Sequence, residues 1–153
     1  MSEQSYSKKF SVSASTESVY KAITKEVNEW WTTESNEAAE IGNILTVKFG
    51  ASNFMSMEVE RAIFNELILW KVVGANMFIE GGGSGNDEWV GTKIQWKIAG
   101  TESGSEVFLF HEGLLPSFDC YETCKNGWDY FLASLKEYLN TGKGTPYTGA
   151  ITK

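Results

Sequence analysis

His111 is the only histidine in the chain. An imidazole titrates near neutrality, so His111 is a candidate to hydrogen-bond a ligand carbonyl or to act as a general base. The plainer alternative is a structural histidine bonded to backbone at a strand end. Tyr121 and Glu122 open the next helical segment and are candidates to approach it. Cys120 and Cys124 fall on neighbouring turns of one side of that segment, where a disulfide is geometrically awkward. With one histidine they are too few to hold zinc, so they read as free thiols and no metal is expected. Arg61, the only arginine, is a candidate partner for an acid or a ligand carboxylate. Residues 81–85 are glycine-rich but lack the Lys-Ser/Thr of a phosphate loop, and read as a hairpin tip. Asp87 and Glu88 read as a solvated pair. The chain contains no Gly-x-Ser-x-Gly elbow and no cofactor motif, so no cofactor is expected.

The elements that position these groups follow from periodicity. Residues 6–14 alternate, with Phe10 and Val12 on one side, as in a half-buried strand. Residues 15–18 offer a helix cap, and Val19, Tyr20, Ala22, Ile23 and Val27 repeat at helical spacing up to Trp30-Trp31. Strands are then expected over 44–49, 53–62, 67–73, 88–98 and 106–112, joined by short turns in an antiparallel meander. After Pro116-Ser117, apolar residues step by three and four from Tyr121 to Leu139, giving one long amphipathic helix with Gly142 at its end.

A lysine or glutamate in mid-strand marks the wet face. Lys48 puts Leu45, Val47 and Phe49 inside; Glu58 and Glu60 put Met55, Met57 and Val59 inside; Lys71 puts Ile68, Trp70 and Val72 inside. Lys93, Gln95 and Lys97 do the same for Thr92, Ile94, Trp96 and Ile98, and Glu106 for Val107, Leu109 and His111. The outer face keeps Phe54, Leu67, Leu69, Phe108 and Phe110, more apolar surface than a wet face needs, which points to a homodimer patch.

Composition narrows the classes of function. The 153 residues suit one domain, read as 1–142 with 143–153 as a C-terminal tail. At 42% hydrophobic and 22% charged, global disorder is excluded. A net charge of −7 with no basic stripe argues against nucleic acid and against anchoring on an anionic membrane. No apolar run is long enough to cross a bilayer, and Met1-Ser2-Glu3-Gln4 does not open like a signal peptide, so a cytoplasmic location is expected.

Several segments also resemble a known superfamily. They are Phe10-Ser11-Val12-Ser13-Ala14-Ser15, Val19-Tyr20 with Ala22, and Glu29-Trp30-Trp31; then Trp70-Lys71-Val72, Gly91-Thr92 with Ile94 and Trp96, and Phe110-His111-Glu112-Gly113-Leu114; and lastly Gly127-Trp128 with Phe131-Leu132 and Ser134-Leu135. In order, these are similar to the START-like helix-grip superfamily, in the branch named after the activator of Hsp90 ATPase homologue. The resemblance implies an α+β fold, a curved antiparallel sheet of about six strands wrapped around the C-terminal helix, with short helices after the first strand. It further implies a cavity between sheet and helix that takes an apolar small molecule, a lipid or similar metabolite. The inward set then supplies candidate ligand contacts: Trp31, Met55, Met57, Trp70, Trp96, His111, Tyr121, Cys124 and Trp128. Two other functions share this fold. One is a chaperone- or stress-associated interaction module without enzymatic activity. The other is a cyclase or dehydratase with His111 as its base.

Overall fold

A computed structural model describes residues 5–49, 53–79, 83–115 and 121–147; side chains are described for all of these except 77–79, 83–86 and 123. Strand β1, Tyr6–Val12, leads into helices α1, Thr16–Thr24, and α2, Val27–Trp30. Strands β2, Ile44–Lys48, β3, Phe54–Ile63, β4, Leu67–Ile79, β5, Gly83–Asn86, β6, Lys93–Thr101, and β7, Gly104–Glu112, follow, and helix α3, Tyr121–Thr141, ends the order. The sheet runs β1-β7-β6-β4-β3-β2, antiparallel at every junction, with β5 paired to the far end of β4. It is a curved six-strand path carrying one extra short strand, with α3 against its inner face, which is the expected α+β helix-grip architecture.

Local chemistry sets the helix ends. Ser15 caps α1, its hydroxyl accepting the Ser18 N–H at 3.1 Å. Gly142, at φ +90°, closes α3 by donating its N–H to the Tyr138 carbonyl at 2.7 Å. The faces follow the charges: Leu45, Val47, Met55, Met57, Val59, Ile68, Trp70, Val72, Ile94, Trp96, Val107, Leu109 and His111 are all buried. Phe54, Leu67, Leu69, Phe108 and Phe110 on the outer face are half-buried.

Three expectations change. Strand β4 runs past residue 73: Val73 is an extra residue between the Met57–Val72 and Ser56–Gly74 pairs, and the strand continues beyond this bulge to Ile79. Residues 83–85 of the glycine-rich stretch, expected as a tip, belong to β5; 81 and 82 lie outside the described residues. Residues 88–91, expected as the start of a strand, form turns instead, with Val90 N–H on the Asp87 carbonyl, Thr92 N–H on the Trp89 carbonyl and Gly91 at φ +92°. Pro116, Ser117 and Cys120 lie outside the described residues.

The described part of the segment read as a tail is docked. Tyr147 bridges Thr32 in parallel, donating its N–H to the Trp31 carbonyl and accepting from Thr33 N–H at 2.9 and 2.8 Å. Gly144 lies where a Cβ would stand 2.7 Å from the Glu29 carbonyl oxygen, so this close approach requires glycine.

Candidate ligand cavity

Helix α3 presents Cys124, Gly127, Trp128 and Phe131 at steps of three and four, on the face turned to the sheet. Trp31, just beyond α2, and Phe49, just beyond β2, meet that face from one side. Met55 of β3 and Trp89 of the turn before β6 complete a cavity of about 150 Å³. Nothing lies within 4 Å of a Cβ built on Gly127, so its missing side chain leaves part of this space. Among the described residues, no carboxyl, amine or guanidine lines it.

The indole N–H groups of Trp89 and Trp128 are engaged behind the wall. Trp128 donates its indole N–H to His111 Nδ1 at 3.0 Å, and Trp89 donates its own to Cys124 Sγ at 2.9 Å. An indole nitrogen only donates, so His111 Nδ1 carries no proton and the proton resides on Nε2. Nε2 therefore donates to Thr92 Oγ1 at 2.8 Å, and the Thr92 hydroxyl donates to the Trp89 carbonyl at 2.6 Å. His111 is 0% exposed, and burial pushes its pKa down to about 3. The imidazole is neutral at ordinary pH, and both of its nitrogens are occupied within the protein. No lone pair is left to take a substrate proton, so the arrangement suits the structural alternative to general-base work.

All six tryptophans join one ring cluster. Trp31 lies between Trp128 and Trp70, with centroids at 5.1 and 6.1 Å. Trp30 stacks on Trp31 at 5.4 Å and meets Trp96 edge-on at 6.0 Å. The indole N–H groups of Trp70 and Trp96 are buried without an oxygen acceptor. Their rings meet each other edge-on, with centroids at 5.7 Å and planes at 75°.

Of the nine candidate contacts, Trp31, Met55, Cys124 and Trp128 line the cavity. Met57, Trp70 and Trp96 are buried in the core and do not line it, and His111 stands behind Trp128. Tyr121 lines a separate surface groove with Tyr6, Lys8 and Asp129. There Tyr6 donates its hydroxyl to Asp129 at 2.5 Å; burial pushes the Asp129 carboxyl up, but this bond and the Lys8 and Lys125 ammoniums bring it net below its ordinary range. Arg61, the candidate for a ligand carboxylate, is exposed and does not reach the cavity.

Sequence reasoning missed Trp89 as a lining residue, because strand parity through 88–98 turns it outward. Asn86-Asp87 ahead of it and Gly91 after it are the turn residues that could have shown the break. Among the described residues, no helix is long and apolar enough to cross a membrane.

A START-like helix-grip fold is the class that this sheet, its C-terminal helix and the short helices after β1 define. Within it the chain is similar to the Aha1 dimer from Colwellia psychrerythraea: TM-score 0.76, 27% identity, over 94% of this chain and all of that one. The protein SSP2350 from Staphylococcus saprophyticus superposes with TM-score 0.69 at 21% identity, over 94% of this chain and 98% of that one. DynU16, of the dynemicin biosynthetic locus, matches with TM-score 0.68 at 21% identity, over 94% of this chain and 49% of that one. The latter two likenesses are of fold. No protein-family model matches the chain, and no curated protein does.

Proposed function

We propose that this protein binds an apolar small molecule non-covalently between the sheet and α3. The observation that carries the reading is the cavity of about 150 Å³ beside Gly127, walled by aromatic side chains. Natural cores are packed to crystal-like density, and an apolar void forfeits contacts that a ligand restores. Affinity would come from burial of ligand area, roughly 25 cal/mol per Å² before entropic losses. The engaged His111 imidazole favours binding over cyclase or dehydratase chemistry on this site. Native mass spectrometry of freshly purified protein, followed by organic extraction, tests the reading. A stoichiometric extra mass that extracts as an apolar compound is the expected result. A bare protein whose Tm no member of an apolar ligand panel raises would overturn it.

A second copy of the chain is the partner we infer for the outer sheet face. Phe54, Leu67, Leu69, Phe108 and Phe110 there are only half-buried, and the Colwellia protein of similar fold is described as a dimer. Sedimentation should show self-association that Phe108→Ser weakens. A monomer that persists to high concentration would remove this inference.

A further inference from the structure

The ligand class can be read from the cavity itself, taking the binding reading above as its premise. We infer that the cavity selects a neutral, compact aromatic molecule of one or two fused rings, and not an acyl chain or an organic cation.

Size is the first argument. Drug-sized ligands fill pockets of roughly 300–1,000 Å³, whereas an apolar cavity near 150 Å³ in another protein holds a benzene-sized molecule. The volume here, about 150 Å³, falls in the second range. A long acyl chain would leave most of its length outside.

Charge is the second. Among the described lining residues no carboxylate would compensate a cation for its lost water, beyond what the indole faces supply, and no ammonium or guanidinium would receive an anion. The N–H of Trp89 is taken by Cys124 and that of Trp128 by His111, so these indoles offer hydrocarbon and π surface only.

Shape chemistry is the third. Five of the eight described lining residues are aromatic: Trp31, Phe49, Trp89, Trp128 and Phe131. Their rings already pair at tilted and stacked angles, as with Phe49 and Phe131 at 5.8 Å and 39° and Trp89 and Trp128 at 5.8 Å and 14°. A further ring entering among them finds both faces and edges to meet, which a saturated chain cannot exploit.

Calorimetric titration of the purified chain with toluene, indole, palmitate and tetramethylammonium, backed by Tm shifts, tests the inference. Toluene and indole should bind saturably and raise Tm. Gly127→Leu, which fills the void from α3, should weaken toluene at least about tenfold. Phe131→Ala, which enlarges the void, should improve naphthalene relative to toluene and serves should Gly127→Leu fail to fold. Palmitate or tetramethylammonium binding without either aromatic would overturn this inference while leaving a binding cavity in place. A naphthalene preference unmoved by Phe131→Ala would also overturn it. If no probe binds, the binding reading falls with it.

Discussion

Between about pH 6.5 and pH 3 the fold is expected to lose stability steadily, and His111→Asn is expected to remove most of that loss. In the unfolded chain His111 takes a proton near its ordinary value of 6.5; in the fold, burial holds it neutral down to about 3. Across that window the unfolded state binds more protons than the folded one, so stability rises with pH and falls as acid is added. Above 6.5 both states carry a neutral ring and the term vanishes. One pKa unit corresponds to about 1.4 kcal/mol, so the full excursion is on the order of 5 kcal/mol. Asparagine does not titrate, and its oxygen can still accept from Trp128, which otherwise would be left a buried, unpaired donor costing about 1–3 kcal/mol. Wild type should therefore be the more stable near pH 7, through its Thr92 bond, with the gap closing as pH falls. Urea midpoints for both proteins from pH 7 to 3.5 check this. Parallel curves would mean that His111 titrates alike in both states. Asp129, net depressed, adds acid sensitivity of the same sign in both proteins, present above its unfolded value and lost as pH falls through its folded one.

One substitution at two glycines is expected to give opposite results. Gly104 opens β7 opposite the β1 edge, where an added Cβ would collide with the Val12 carbonyl oxygen and stand 2.7 Å from Ser13 Cα. Backbone atoms on a paired strand cannot yield as a side chain would, so Gly104→Ala should destabilise by about 3 kcal/mol or more. Gly127 lies inside α3 with open space at its Cβ position. Glycine in a helix interior is less favourable than alanine by about 0.8–1.0 kcal/mol, so Gly127→Ala should stabilise by up to about that amount. It should also narrow the cavity. Denaturation midpoints of the two variants decide the matter. A Gly127→Ala protein less stable than wild type would show that the space at this position is already filled.

Gly127 thus keeps a position that helix propensity alone would give to alanine. Local preference yields there to the space beside it, a pattern expected where function and stability pull apart.

Much of the fold was legible in the sequence because strand parity and helical spacing are local. Lys48, Lys71 and Glu106 each turned one face outward, and residues as separated as Leu45, Trp70 and Leu109 came out buried as read. Where an extra residue interrupts the period, local reading fails. The bulges between β3 and β4 and the turn at 88–91 both shift parity, and the second brings in Trp89. The amphipathic pattern of α3 placed Cys124, Trp128 and Phe131 on the inner face, but could not say that Gly127 beside them leaves a void. That depends on how far α3 stands from Met55 and Trp31, a distance no periodicity contains.

The sequence by itself determined the α+β layout, the facing of the strands and the apolar side of the last helix, since each rests on residues a few positions apart. Only the tertiary structure decided what His111 does. Its partners, Thr92 and Trp128, come from a different strand's approach and a different helix, and the run of three hydrogen bonds from Trp128 through His111 and Thr92 to the Trp89 carbonyl has direction only once all four are in place. The cavity is decided there too, because its volume is the remainder left when helix and sheet have packed as closely as their side chains allow.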